Sequence, residues 1–298
     1  MPAVSRYLLV NGIIAPFRAP KSEKLYRQLW TSNGAPLVYY AQRIKDELQT
    51  VFADKADVYM GMSFGQPLLG SVLKTIREKN YTRLIVLPLF PQYASSSSGV
   101  AIAEVLNTLK KWTVIPELKI INQFYNNEWF IKAFANRISK YNLGDYEHII
   151  FSFHGLPVKH LEQMCKSKNI DNCECQLHSQ AGNSLCYKDA CYETARLLAN
   201  ELGLVNSRYS VSFQSRLSKN WIQPFTDKLI VAQARKGVKN ILVVAPSFIA
   251  DCLETTIEIG YEYRKLFQEH GGKKLQLVES LNDSPNWILA LEKIIGIF

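Results

Sequence analysis

The sequence predicts an α/β protein built from parallel sheets in two related halves facing each other across a cleft, and three observations carry that prediction. Short β-rich runs alternate with helical patterns along almost the whole chain, as parallel βαβ units require. Strand ends echo each other between the halves, with Pro88-Leu-Phe90 in one and Pro246-Ser-Phe248 in the other. Finally, the apolar run Ile241–Val244 leads into a polar loop and then a helical pattern, which is where open α/β sheets place ligand chemistry.

In the first half the strands read as Val58–Met62, Leu84–Leu87 and Leu118–Ile121, with a helix over Leu68–Lys79. In the second half they read as His148–Phe153, Tyr209–Phe213, Ile241–Val244 and Leu275–Val278, with a helix from Asp227 that stops at Gly237. The expected boundary divides residues 1–144 from 145–298. The count is unequal, three strands against four. Tyr7–Val10 does not supply the fourth, because Asn11-Gly12 and Pro16 follow at once and leave no room for a helical crossover.

At 298 residues the chain suits two halves of ordinary domain size. It is 47% hydrophobic and 20% charged, the balance of a globular protein with a substantial core. No apolar run reaches bilayer-spanning length, and the N-terminus lacks the features of a signal peptide, so a cytoplasmic protein is expected. The formal charge of +9 favours anionic partners. Its lysines and arginines are scattered and no nucleic-acid motif accompanies them, so nucleic acid is not an expected partner.

Several loops at strand ends carry chemistry. His154 lies just beyond a strand, in Ser152-Phe-His154-Gly-Leu-Pro157, and Phe213-Gln-Ser-Arg216 ends another, followed by Trp221. A third strand leads into the hydroxyl-rich loop Pro91–Gly99, with Tyr93 and Ser97. Glu254 and Glu258 are four apart and share one face of a helix, where two carboxylates repel unless a cation, proton or solvent separates them. A solvated acidic face is the simpler reading of that pair taken alone. Together these loops converge on one crevice.

This ordered set resembles the ferrochelatases, enzymes that insert ferrous iron into a porphyrin. The resemblance runs from Pro20-Lys-Ser through Gly61–Pro67, Leu87–Tyr93 and Ser97-Ser-Gly99. It continues through Ser152–Pro157, Phe213–Arg216, Pro246–Thr255 and Leu281-Asn282. It implies two Rossmann-like halves of chelatase type with a porphyrin slot between them. It also implies that His154 and Glu254 face each other across the macrocycle, and that Glu258 and Asp251 lead away from its centre. Tyr93, Ser97, Trp221 and Phe248 are then the substrate-binding positions. The expected activity is that of a lyase of heme biosynthesis, with a porphyrin (protoporphyrin IX foremost) and ferrous iron as substrates. The alternatives are a cobalt or nickel chelatase of the same fold and a non-catalytic tetrapyrrole-binding protein.

Metallation removes two pyrrole protons. A neutral histidine, with an ordinary pKa of about 6.5, suits their capture. Glu254 and Glu258 would hold metal or relay protons, and His154 with Glu254 would contact the incoming iron. A hydrophobic substrate makes peripheral membrane association sensible, and either a monomer or a dimer is compatible with the sequence.

The chain departs from the family pattern in two places. Relatives begin with a strand and helix that this sequence lacks on alignment, since Arg6–Pro20 matches the later segment leading into Lys21-Ser22. An absent first strand agrees with the count of three. The other departure is a cysteine-rich insertion spanning 165–191, with Cys165, Cys173, Cys175, Cys186 and Cys191 beside His178. In a cytoplasmic protein such clustering points to metal or iron–sulfur ligation, and some ferrochelatases hold a [2Fe-2S] cluster. The expectation is a cluster on Cys165, Cys173, Cys175 and one or more of Cys186 and Cys191, against a metal-free loop as the alternative. Cys252 stands in the active-site motif and is not an expected cluster ligand.

Overall fold

The computed structural model describes residues 27–164, 173–174 and 185–297. Tyr7–Val10, Cys165, Cys175 and His178 lie outside them.

Strands β3 (His148–His154), β4 (Tyr209–Gln214), β5 (Asn240–Val244) and β6 (Lys274–Leu277) form one parallel sheet in the order β4-β3-β5-β6. All four sequence-predicted strands of this half are present, within about a residue at each end. Ile149, Ile150, Phe151 and Phe153 are fully buried, as expected for a central strand covered on both faces. Ser152 and Ser212 interrupt this apolar run and are also fully buried. Both hydroxyls meet that of Thr226, at 2.8 Å from Ser152 and 2.9 Å from Ser212, so neither is stranded.

The other sheet pairs β1 (Arg83–Val86) with β2 (Glu117–Ile120), also in parallel. The helix expected over Leu68–Lys79 forms as Leu69–Glu78. Val58–Met62 does not form the expected strand. No ladder partner reaches it among the described residues, and Met62 instead closes a local turn, donating to Pro67 O at 2.8 Å and accepting from Leu69 N–H at 2.9 Å. A run of β-forming residues becomes a strand only beside another strand, so local propensity does not suffice here.

The last helix, Pro285–Ile295, starts on proline and ends at Gly296, whose φ of 59° is the left-handed cap that glycine adopts without strain. It packs on the Glu128–Ile138 helix, where Trp287 meets Phe124 and Phe130 at ring-centroid distances of 5.8 and 6.1 Å. One hydrophobic cluster therefore runs from Ile44 through Phe130 and Phe153 to Trp287 and Ile294. The helical pattern after Glu254 takes a different form from that expected: Leu253–Tyr263 is a π-helix. Its i→i+5 bonds place more than four residues in each turn. Glu258 therefore falls just short of a full turn beyond Glu254, and the two stay on one side of the helix.

Candidate active site

His154 is the last residue of β3, half-buried, and its register partner across the ladder is Gln214, the last residue of β4. Its Nδ1 lies 2.7 Å from Gly155 O. A carbonyl oxygen only accepts, so Nδ1 carries a hydrogen, and in the neutral ring the lone pair is then on Nε2. The imidazole sits between Trp221 and Phe248, with ring-centroid distances of 6.4 and 6.1 Å. Gly155 is required for this approach, because a Cβ there would meet Gln214 O at 2.7 Å and the Trp221 ring at 3.2 Å.

Gln214 is the hub that the sequence motif contained but did not reveal. Its Oε1 accepts from Ser152 Oγ at 2.7 Å, which fixes the amide orientation and leaves Nε2 as donor. Nε2 donates to Glu254 O at 2.8 Å and reaches Glu258 Oε2 at 3.4 Å. The strand bearing His154 is thereby joined to the π-helix bearing both glutamates.

Glu258 is fully engaged. Oε1 accepts from Ser215 N–H at 2.8 Å and Tyr263 O–H at 2.5 Å, and Oε2 accepts from Ser215 Oγ–H at 2.5 Å. Burial, and then the Glu258 charge, drive the Tyr263 hydroxyl far above its ordinary pKa, so it stays a donor. Ser215 holds a φ of 60° to make this grip. Next to it, Arg216 pairs bidentately with Asp227 and stacks 4.2 Å above the Phe225 ring. Burial alone would raise the Asp227 carboxyl, but the guanidinium overrides it and holds the group below its usual range.

Glu254 is half-buried, and its side chain neighbours Cys252, whose thiol is pushed up by burial and then by the Glu254 charge. Asp251 lies in a different network from Glu254 and Glu258. Its carboxylate accepts from Ser280 N–H at 3.1 Å and Asn282 Nδ2 at 2.8 Å, while its own N–H donates to Asn282 Oδ1 at 2.9 Å. Tyr93 and Ser97 sit on the loop after β1 with local contacts. The Tyr93 hydroxyl lies over Gly99, and Ser97 Oγ reaches Ala94 O at 3.4 Å.

Of the five clustered cysteines, Cys186 and Cys191 are buried free thiols and Cys173 is disulfide-bonded, while Cys165 and Cys175 fall outside the described residues. Among the described residues no three His, Cys, Asp or Glu side chains converge to hold a metal. Cys191 is fully buried within the helix packing, and burial raises its thiol well above the ordinary value.

A family model described as Ferrochelatase matches residues 1–296. The chain is 39% identical to a ferrochelatase of Legionella pneumophila (strain Lens), covering 99% of this chain and 88% of that relative. It is 37% identical to one of Coxiella burnetii (strain Dugway 5J108-111), covering 99% and 83%. Among solved structures it resembles SirB from Bacillus subtilis with Fe3+, with a TM-score of 0.60 at 12% identity, covering 89% of this chain and 93% of that one. The sirohydrochlorin chelatase SirB from Bacillus subtilis subspecies spizizenii, in complex with cobalt, aligns with a TM-score of 0.55 at 13% identity, over 86% and 87%. The structural likeness establishes a shared chelatase fold, and the sequence match over nearly the whole length settles which branch of it: this chain belongs to the ferrochelatase family.

Proposed function

We propose that this chain inserts ferrous iron into a porphyrin to make heme, as a porphyrin metal chelatase. Two pyrrole N–H bonds break, two protons leave, and the four nitrogens close on the metal. The observation that carries the reading is the linkage of His154, through its strand-end neighbour Gln214, to the backbone of Glu254. Nε2 of His154 is the base that takes a pyrrole proton, since Nδ1–H is committed to Gly155 O. Glu254, whose carboxylate is far less encumbered than that of Glu258, meets the iron or passes on a proton. Trp221 and Phe248 flank the ring and shed water from it, and Tyr93 and Ser97 take the propionate side. Residues 1–144 and 145–298 are read as the two halves that enclose the substrate.

A [2Fe-2S] cluster is supported by the clustering of five cysteines between positions 165 and 191. The four thiolates are assigned to Cys165, Cys173, Cys175 and Cys186, a set that forms only once the disulfide holding Cys173 in this structure is reduced, and Cys191, fully buried in the helix packing, is left out. Iron and acid-labile sulfide after anaerobic purification should then survive C191S and vanish in C186S; colourless parent protein would end the assignment. Peripheral contact with an anionic membrane, from the cytoplasmic side, is supported by the charge of +9 and by exposed Phe64 and Leu217. No helix among the described residues is long and apolar enough to cross a bilayer.

The deciding assay follows free-base porphyrin fluorescence anaerobically after ferrous iron is added. Turnover by the parent and a loss of about 100-fold in His154→Ala is the expected result. Porphyrin binding without turnover in the parent would refute the enzyme.

A further inference from the structure

His154 ends β3, where the sheet itself runs out. On one side the ladder with β4 continues to the His154–Gln214 pair, but on the other the ladder with β5 stops at Phe151–Val244. The His154 carbonyl takes its partner from outside the sheet, for Tyr187 O–H donates to it at 2.7 Å. Tyr187 opens the helix Tyr187–Glu201, is buried, and had no role in the sequence reading.

With its hydrogen given to that carbonyl, the Tyr187 oxygen can only accept from other groups. Two lie against it. Cys191, four residues along the same helix, neighbours it. The Ser247 hydroxyl, buried and without a well-formed partner among the described residues, adjoins the same oxygen. Ser247 precedes Phe248, whose ring flanks His154. Further along, Thr194 accepts from Gln92 Nε2 at 3.0 Å, beside Tyr93. One helix thus fastens the histidine strand, the Phe248 loop and the Tyr93 loop.

We propose that Tyr187 is a positioning residue for His154, its hydroxyl holding the carbonyl at the strand end. This deepens the ferrochelatase reading and rests on it. Holding the His154 carbonyl fixes the His154–Gly155 peptide plane. That plane carries the Gly155 Cα, and so sets the point from which Gly155 O, the acceptor of Nδ1–H, reaches the imidazole. The Gly155 N–H holds the other edge of that plane on Gln214 O at 2.8 Å; without the hydroxyl the plane pivots on that one bond, the imidazole loses its fixed tautomer, and the base is misplaced by a fraction of an ångström.

The test is Tyr187→Phe, which keeps the ring and deletes the hydroxyl, beside Tyr192→Phe as a control on the same helix. In Y187F the iron-insertion kcat falls about tenfold while the porphyrin KM stays within about twofold, and Y192F behaves as the parent. In 15N-histidine spectra the parent shows a single Nδ1–H tautomer for His154, and Y187F shows both tautomers. An unchanged His154 spectrum in Y187F overturns the proposal, as does a loss of kcat matched by Y192F. The spectra need no turnover, so an inactive parent would refute the enzymatic reading and still leave the role of Tyr187 decided.

Discussion

Ser215 grips both carboxylate oxygens of Glu258, its backbone N–H donating to Oε1 at 2.8 Å and its hydroxyl to Oε2 at 2.5 Å. Tyr263 adds a third donor. A carboxylate bound this way is an anchor between the end of β4 and the π-helix, with little freedom to travel toward a metal. Glu258→Gln replaces one acceptor oxygen with a donor that faces donors, so it should cost about 2 kcal/mol in urea unfolding. Glu254→Gln should cost far less stability and lower kcat more. The reverse ordering would return Glu258 to the role of a mobile relay.

Gly155→Ala pushes a methyl toward Gln214 O and the Trp221 ring, one of them backbone that cannot swing away. The adjacent His154 must shift with it. Iron insertion should fall by about 10–100-fold, with porphyrin affinity also reduced because Trp221 moves. An alanine variant with parental kcat would show that the strand end tolerates displacement.

His148 opens β3, buried beside Ser210 Oγ at 2.8 Å, and its pKa is lowered by burial, then by Arg208 and Lys236. The unfolded chain therefore binds this proton more readily than the folded one. Its stabilising contribution is complete above the unfolded value of about 6.5 and is lost as pH falls through the depressed folded value. Urea midpoints should decline from about pH 6.5 downward, and His148→Asn should flatten that decline. A midpoint that rises on mild acidification would contradict it.

Trp287 is fully buried against Phe124 and Phe130, and its Nε1–H has no partner among the described residues. Truncation to alanine should cost about 3–5 kcal/mol. Phenylalanine should cost much less, because it keeps an aromatic ring and removes a buried donor that is not hydrogen-bonded. Equal losses in the two variants would mean that the indole nitrogen has a partner after all.

The half that bears His154 was legible because its strands are buried on both faces, and such strands announce themselves as unbroken apolar runs such as Ile149–Phe151 and Ile241–Val244. Val58–Met62 misled because strand formation depends on a neighbour, which no local pattern encodes. The π-helix was also invisible, since its apolar spacing imitates an α-helix over a few turns. His154 and the two glutamates stood out by residue type and position after strands. Gln214, Ser215, Tyr263 and Tyr187 did not, because their roles arise from hydrogen bonds between segments 30 or more residues apart in the cases of Tyr187 with His154 and Ser215 with Glu258. The cysteines differ again: their clustering in sequence carries no information on packing, and Cys191 is buried inside the helix packing.

The two sheets differ in how completely they are covered. Every residue of β3 before His154 is buried, whereas no residue of β1 or β2 is. Amide exchange should then be slowest in the strand that ends at His154 and faster by orders of magnitude in Arg83–Val86 and Glu117–Ile120. On the proposed reading, a stiff planar guest would press against one unyielding face that carries His154 and one compliant face that carries the Tyr93 loop. Entry and release would draw their motion from the second, leaving the chemistry's geometry undisturbed.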